Sequence, residues 1–184
     1  MSVSKMIAAA GVAAGLCFAG SASAGVLVVG GSLAQQCSEA ADGGRALPSD
    51  LTACSASIET EALDERNLAG TYVNRGVILQ RLGRSAEAVR DFDRAIGMQA
   101  HAGEAYVNRG AVLIAQGRFQ DGLADTERAL QLGLREPEKA WFNIGVAHER
   151  LGAVRPAYMA YRRAAELSPN WTQPRLELAR FAVR

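Results

Sequence analysis

Few residues in this chain of 184 have the types and spacing that a chemical site requires. The sequence contains two histidines, His101 and His148, and three cysteines, so a metal site built from these residue types has few candidate ligands. His148-Glu149 lacks the second histidine of a His-Glu-x-x-His motif, and the sequence has no Walker loop and no Gly-x-Gly-x-x-Gly fingerprint. We therefore expect no catalytic, cofactor-binding or metal-binding residues. A Ser/His/Asp site stays open, because it is recognised by geometry and not by sequence position.

The charge balance argues against a second class of function. The chain carries 20 Lys and Arg residues against 19 Asp and Glu residues, a formal net charge of +1. Nucleic-acid binding usually needs a basic surface, so we expect no nucleic-acid partner. Hydrophobic residues make up 49% and charged residues 21% of the chain, as in a folded globular protein. The composition therefore predicts a sizeable core.

Residues 1–24 have the features of a secretory signal peptide. Lys5 is the only charged residue before Glu39, and the apolar run Met6–Gly20 follows it. The small residues Ala22-Ser23-Ala24 then form a cleavage site for signal peptidase. We therefore expect an exported protein of the periplasm, the cell envelope or the extracellular space.

The same segment has a second interpretation. The uncharged stretch continues through Gly25 to Gly31 and exceeds the ~20 residues of a membrane span. An uncleaved segment would therefore anchor the protein in a membrane. In both interpretations the rest of the chain is exported from the cytoplasm.

Export determines how the cysteines are interpreted. Cys17 leaves with the signal peptide, whereas Cys37 and Cys54 stay in the mature chain. Thiols outside the cytoplasm tend to oxidise, so we predict a Cys37–Cys54 disulfide. Two free thiols are the alternative.

An internal repeat organises the remaining chain. Tyr72-Val-Asn-Arg-Gly76 recurs as Tyr106-Val-Asn-Arg-Gly110 and, less closely, as Trp141-Phe-Asn-Ile-Gly145, a period of about 34 residues. Apolar and small residues recur at helical spacing on both sides of a glycine turn in each copy. Each copy is therefore predicted to be a pair of helices. The residues that define the two helices of the first copy are Tyr72, Gly76 and Leu79, then Ala88, Phe92 and Ala95.

These intervals resemble the tetratricopeptide repeat (TPR) family. The third copy follows the family pattern best, with Trp141, Gly145, Leu151, Gly152, Ala157, Tyr161, Ala164 and Pro169. The second copy departs from it, with Gly122 in place of alanine and Thr126 in place of an aromatic residue. The resemblance implies an all-α fold, a right-handed superhelix of helix pairs. It also implies that the first helices line a concave groove that binds peptides or partner proteins.

The resemblance and the flanking patterns divide the chain into segments. Leu51–Leu63 is predicted to be a helix that covers the first repeat, tethered by the disulfide to the stretch Leu33–Ala41. We predict a signal peptide at 1–24, an N-terminal extension at 25–66, three repeats within 67–171 (about 69–102, 103–136 and 138–171) and a capping helix at 172–184.

Comparison of the copies reveals a pair of charges. Arg75 and Arg109 occupy a position that Ile144 fills in the third copy. The position that carries an aspartate in the first two copies carries alanine in the third, so both charges are lost together. We predict two structural ion pairs, because a coordinated loss avoids leaving one charge buried alone; an arginine row that binds ligand is the alternative. The predicted pairs are Arg75 with Asp91 and Arg109 with Asp125.

The family resemblance also predicts which residues line the groove. They mix an apolar floor with a few charges, which suits an extended or helical peptide. The alternative is a structural role, in which Val73, Val107 and Phe142 only pack between adjacent helices. The predicted groove residues are Val73, Val77, Gln80, Arg81, Val107, Ala111, Ile114, Lys139, Phe142, Val146, Glu149 and Arg150.

One family variant is a poor match. Chaperone-binding TPR domains hold a terminal carboxylate with five Lys, Asn and Arg side chains. Asn108 and Lys139 match that set here, whereas Val73, Val77 and Asn143 do not. Too few ligands match to hold a carboxylate.

One asparagine recurs in all three copies, as Asn74, Asn108 and Asn143. We predict a structural hydrogen-bonding role for it. The sequence as a whole predicts a non-enzymatic interaction module that binds a peptide or partner protein in its groove, in the periplasm or cell envelope. The alternative is a structural or self-associating subunit of an envelope complex with an empty groove.

Overall fold

A computed structural model describes residues 25–27, 32–44, 46–99 and 101–181. This part of the chain contains helices and no strand. The predicted signal peptide lies outside it. The helices are α1 (Ser32–Asp42), α2 (Pro48–Thr60), α3 (Glu65–Arg81), α4 (Ser85–Gly97), α5 (Ala102–Ala115), α6 (Phe119–Leu132), α7 (Pro137–Arg150), α8 (Val154–Leu167) and α9 (Thr172–Phe181).

The predicted helix pairs are present as three successive hairpins, α3–α4, α5–α6 and α7–α8. Each second helix also packs on the first helix of the next hairpin. The first helices α3, α5 and α7 contact one another directly, whereas the second helices show no comparable contact among themselves in the described residues. The stack therefore curves with its first helices on the inner, concave side.

A glycine ends the first helix of each hairpin. Gly83, Gly117 and Gly152 have φ angles of 76°, 80° and 77°. This left-handed conformation carries no steric penalty for glycine, so the chain can reverse after a short turn. The turn glycines that mark the repeat in the sequence therefore have a direct conformational role.

A second glycine brings the two helices of a hairpin close together. A methyl group on Gly76 would lie 2.5 Å from the ring of Phe92, and one on Gly145 would lie 2.6 Å from the ring of Tyr161. In the second hairpin a methyl group on Gly122 would lie 2.7 Å from the carbonyl oxygen of Gly110. The two backbones approach closely there and leave no room for an aromatic ring, so Thr126 occupies that position. These departures from the family pattern do not interrupt α6.

The N-terminal extension forms a helical hairpin of its own. α2 begins at Pro48, earlier than the predicted Leu51, because proline fits the first helical turn and Asp50 accepts a hydrogen bond of 2.9 Å from the Leu47 amide. The α1–α2 hairpin packs on α3 as an additional repeat would. The structure joins Cys37 of α1 to Cys54 of α2, and both residues are fully buried.

α9 covers the other end of the stack. Trp171 packs on Phe142 with 5.0 Å between ring centroids, and Phe181 packs on Tyr161 at 6.0 Å. The apolar side of the last hairpin is thereby removed from water. Within the residues described, no helix combines the length and apolar character that crossing a membrane would need.

Candidate functional site

The concave surface carries a row of asparagines at equivalent positions of α3, α5 and α7. These are Asn74, Asn108 and Asn143, the residue that recurs in every copy of the repeat. Asn74 and Asn108 are buried, with 0% and 1% of their surface exposed. A buried amide needs hydrogen-bond partners for both its oxygen and its nitrogen, so the partners of this row are informative.

Asn74 holds the backbone of the chain's own N-terminal segment. Its Oδ1 accepts a hydrogen bond of 2.8 Å from the amide of Val26, and its Nδ2 donates one of 2.8 Å to the carbonyl of the same residue. The hydroxyl of Ser38 donates to that carbonyl as well, at 2.9 Å. Val26 is only 4% exposed. The first part of the groove is therefore filled by a short extended segment.

The other two asparagines lack such a partner. The Nδ2 atoms of Asn108 and Asn143 are buried and donate no hydrogen bond in the described part of the chain. Leaving a buried donor unsatisfied costs about 1–3 kcal/mol. An acceptor supplied by a ligand would recover that cost, and a backbone carbonyl placed as Val26 is placed on Asn74 would do so.

Three residues predicted to line the groove lie between helices. Val73, Val107 and Phe142 are exposed by 0%, 2% and 2%. Val107 packs with Ala129 and Ala140, and Phe142 packs on the cap at Trp171. One residue along an α-helix changes the side-chain direction by about 100°. The position immediately before each groove asparagine therefore faces the neighbouring helix, and this burial favours the packing alternative.

The other groove residues predicted in the first two copies are also covered or point elsewhere. Val77 and Gln80 are buried at 1% and 8% exposure. Arg81 donates to the carbonyls of Ala40 and Ala41 at the end of α1, and its burial lowers its pKa. α1 thus covers this face of α3. In the second copy, Ala111 is half-buried and Ile114 packs closely on Gly122 of α6, away from the groove.

The prediction for the third copy mostly identified residues that hold the cap. Val146 packs in the cluster that joins α7, α8 and α9. Glu149 accepts hydrogen bonds from the hydroxyl of Tyr161 at 2.9 Å and from Arg180 of α9 at 2.8 Å. Burial, followed by the Glu149 charge, raises the pKa of Tyr161. Lys139 bonds to Glu136 at 2.8 Å, and Arg150 is exposed.

Both predicted ion pairs are present, on the side of the first helices that faces the second helices. Arg75 binds Asp91 through two hydrogen bonds of 2.7 and 2.9 Å, and it also donates to Ser55 of α2. Arg109 binds Asp125 at 2.7 and 2.8 Å. Arg109 also donates to Asp93 of α4, so each arginine ties its own second helix to the preceding one and is not available to a groove ligand.

The third hairpin has an apolar cleft where the other two have the charge pair. Ile144 and Ala160 occupy the two positions, and a cavity of about 750 Å³ opens beside them between α6, α7 and α8. Trp141 and Met159 contribute to its lining.

Across the described residues, no cluster of His, Cys, Asp and Glu has the make-up of a metal site.

A family model described as "Tetratricopeptide repeat" matches residues 73–133 and 112–170, which together span more than half of the chain. The chain belongs to the tetratricopeptide repeat family, and its class is that of a helical-repeat interaction module. No curated protein matches the chain.

Solved structures agree with this assignment at the level of the fold. The crystal structure of MamA has a TM-score of 0.61 at 16% identity, covering 77% of this chain and 80% of MamA. A MamA RS-1 ArsTM double mutant has a TM-score of 0.64 at 20% identity, covering 84% of this chain and 85% of the mutant chain. The structure of YrrB, "a TPR protein with an unusual peptide-binding site", has a TM-score of 0.58 at 23% identity, covering 70% of this chain and 62% of YrrB. At these identities the likeness shows the fold alone.

The asparagine row is the main feature that the sequence-based interpretation underestimated. Recurrence of one polar residue at the same helical position was the available signal. It indicated a repeated hydrogen bond, and the structure shows that the partner of Asn74 is an extended segment in the groove.

Proposed function

We propose that this protein binds an extended peptide segment of a partner protein in its concave groove, and that the asparagine row holds the backbone of that peptide. One observation carries the proposal. Asn74 bonds both the amide and the carbonyl of Val26, while the equivalent asparagines of α5 and α7 each have an unused donor.

The chemistry of the row favours a peptide over other ligands. A primary amide offers one acceptor and two donors, which match the amide and carbonyl of a single residue in an extended chain. Neighbouring helices lie about 8–10 Å apart. An extended chain rises about 3.3 Å per residue, so one asparagine would meet roughly every third residue of the ligand.

Backbone recognition leaves the ligand sequence largely free between those contacts. Side-chain selection would then come from the surfaces beside each asparagine, as in other modes of extended-peptide recognition. The peptide-binding site named for YrrB supports this use of the fold, at the level of likeness in fold.

We propose the periplasm or cell envelope as the place of action. The support is the signal-like segment 1–24 and the pairing of Cys37 with Cys54, which suits an oxidising compartment. We also propose a non-enzymatic role, since the family is one of interaction modules.

The experiment is affinity capture from a native envelope extract, with the oxidised chain that begins at Gly25 as bait. A second bait carries Asn108→Ala and Asn143→Ala, and a matched control carries Asn170→Ala at an exposed asparagine outside the groove. We expect a protein that the wild type and the Asn170→Ala control retain and the double variant loses.

The ligand peptide of that protein provides the second readout. Methylation of single backbone amides along the peptide should weaken binding at positions about three residues apart, since these amides would donate the hydrogen bonds that the asparagine Oδ1 atoms accept. Retention of the same proteins by all three baits would contradict the proposal.

The alternative, a structural or self-associating subunit, has one observation in its favour. Val154, Met159 and Leu176 near the C-terminal end are exposed by 52%, 45% and 60%. Exposed apolar side chains on neighbouring helices such as α8 and α9 can contribute to a protein interface. A mass in sedimentation that rises with concentration, together with no groove-dependent capture, would favour this role.

A further inference from the structure

The groove already contains one peptide, the segment Gly25–Leu27 of the same chain. We propose that Asn74, Ser38 and Arg135 form a selective peptide site of which this segment is the resident ligand, and that the resident ligand closes the first part of the groove to partners. This inference shares the asparagine row with the proposed function and is tested at a different asparagine.

Three separate elements converge on two consecutive peptide groups. Asn74 of α3 satisfies the amide and the carbonyl of Val26, and Ser38 of α1 donates a second hydrogen bond to that carbonyl. Arg135, in the connection between α6 and α7, donates to the carbonyl of Gly25. Since these contacts all use the backbone, they hold an extended chain in one register.

The surroundings of the resident ligand add side-chain selection. The Val26 side chain belongs to an apolar cluster with Cys37, Val73 and Val77. At Gly25, a methyl group would meet the carboxylate of Asp42, an exposed side chain that can move aside, and would lie 3.2 Å from the Asp42 backbone nitrogen, so this position favours a small residue.

The third position is not selected, because the side chain of Leu27 is 70% exposed. The site therefore favours a small residue, then an apolar residue, and then accepts any residue. This is a sequence preference that the asparagine alone would not impose.

A tethered ligand is difficult to displace. The effective concentration of a ligand on a short tether is on the order of millimolar, so a free peptide of the same kind must compete with it. Removal of the resident ligand should therefore make the site available to the identical peptide added in trans.

The experiment compares a chain that begins at Ser32 with one that begins at Gly25. The probe is a fluorescently labelled peptide with the sequence of residues 25–31, Gly-Val-Leu-Val-Val-Gly-Gly, and binding is measured by fluorescence polarisation. We expect the probe to bind the shorter chain at least tenfold more tightly than the longer one. A probe with aspartate in place of its first valine should bind the shorter chain at least tenfold more weakly than the original, because that valine lies in an apolar cluster.

Two variants of the shorter chain identify the site. Asn74→Ala should weaken probe binding at least tenfold, whereas Asn170→Ala, at an exposed asparagine outside the groove, should leave it unchanged. Circular dichroism at increasing temperature verifies that each chain is folded.

A variant of the longer chain keeps the inference testable if the shorter chain does not fold. Val26→Asp places a carboxylate in an apolar cluster, so the resident ligand should leave the groove and the probe should bind as it does to the shorter chain. Absence of probe binding to folded chains that lack a bound resident ligand, or equal losses from Asn74→Ala and Asn170→Ala, would overturn the inference. If the probe does not bind while a partner is still captured through Asn108 and Asn143, this inference fails and the proposed function stands.

Discussion

Two polar residues of α3, the buried Asn74 and the half-buried Arg75, are neighbours in sequence and serve different surfaces. Asn74 faces the groove and holds a peptide backbone, whereas Arg75 faces the second helices and holds Asp91. The rotation of about 100° per residue along the helix separates the two roles. The YVNRG motif therefore encodes a binding surface and a structural tie in adjacent positions.

At the same scale, the third hairpin shows which residues fill the two positions when the ion pair is absent. We expect Asp91→Ala to lower the free energy of unfolding by about 3 kcal/mol, because it leaves the mostly buried guanidinium of Arg75 without its partner. The double variant Arg75→Ile with Asp91→Ala copies Ile144 and Ala160 and should cost less, about 1 kcal/mol. Urea denaturation measures both variants, and a double variant less stable than Asp91→Ala alone would show that the ion pair is not the reason for the loss.

At the scale of elements, α1 is held in place by a side chain outside it. The carboxylate of Glu61, which follows α2, accepts hydrogen bonds from the amides of Leu33 and Ala34 at 3.1 and 3.0 Å. It also accepts one of 2.6 Å from Ser57. Glu61 therefore serves as the N-terminal cap of α1 and ties the start of α1 to the end of α2.

This cap should make the docking of α1 sensitive to acid. The Ser57 hydroxyl, together with the two backbone amides, holds the pKa of Glu61 below its usual value of 4.5. A carboxylate with a lowered folded-state pKa stabilises the fold above its unfolded pKa, and that stabilisation is lost as the pH falls through the folded-state pKa. We expect Glu61→Gln to cost about 1 kcal/mol at pH 7, and the difference from the wild type to shrink below about pH 4.

Thermal denaturation between pH 3 and pH 7 measures this effect, with Glu59→Gln as the control at an exposed position of α2. The two glutamates differ in their contacts with α1. A Glu61→Gln profile parallel to that of the wild type at every pH would contradict a charged cap.

At the scale of the whole molecule, the protein is a stack in which each hairpin contacts its neighbours. Stability in such a stack is close to a sum of local terms, so a change at one end is expected to stay local. The two ends are closed differently. α9 closes one end by aromatic packing, whereas the α1–α2 hairpin at the other end contains the Cys37–Cys54 pair.

Removal of that disulfide should loosen the N-terminal end first. A bridge that closes a loop of this length contributes about 3 kcal/mol. For a chain of this size we expect the double variant Cys37→Ala with Cys54→Ala to melt roughly 6–12 °C lower, at about 2–4 °C per kcal/mol. Hydrogen exchange should show lost protection in α1 and α2 before α7 and α8. Equal loss along the whole stack would mean that the molecule unfolds as one unit.

The repeat, the ion pairs and the position of the helices follow from patterns that are local in the sequence. Helical periodicity and turn glycines such as Gly83 act within one or two turns of chain, so a single sequence reveals them. The ion pair between Arg75 and Asp91 could be inferred because the copies in one chain lose both charges together.

Only the tertiary structure decides which face of a helix remains open. Val73, Val107 and Phe142 match a groove pattern in sequence, yet adjacent helices cover them. The contact of Val26 with Asn74 joins positions 48 residues apart. No local pattern encodes it, since a backbone segment that lies in a groove is selected by shape and by hydrogen bonds to its peptide groups. The sequence by itself therefore determined the family and the architecture, whereas the packing of distant segments decided where a ligand can bind.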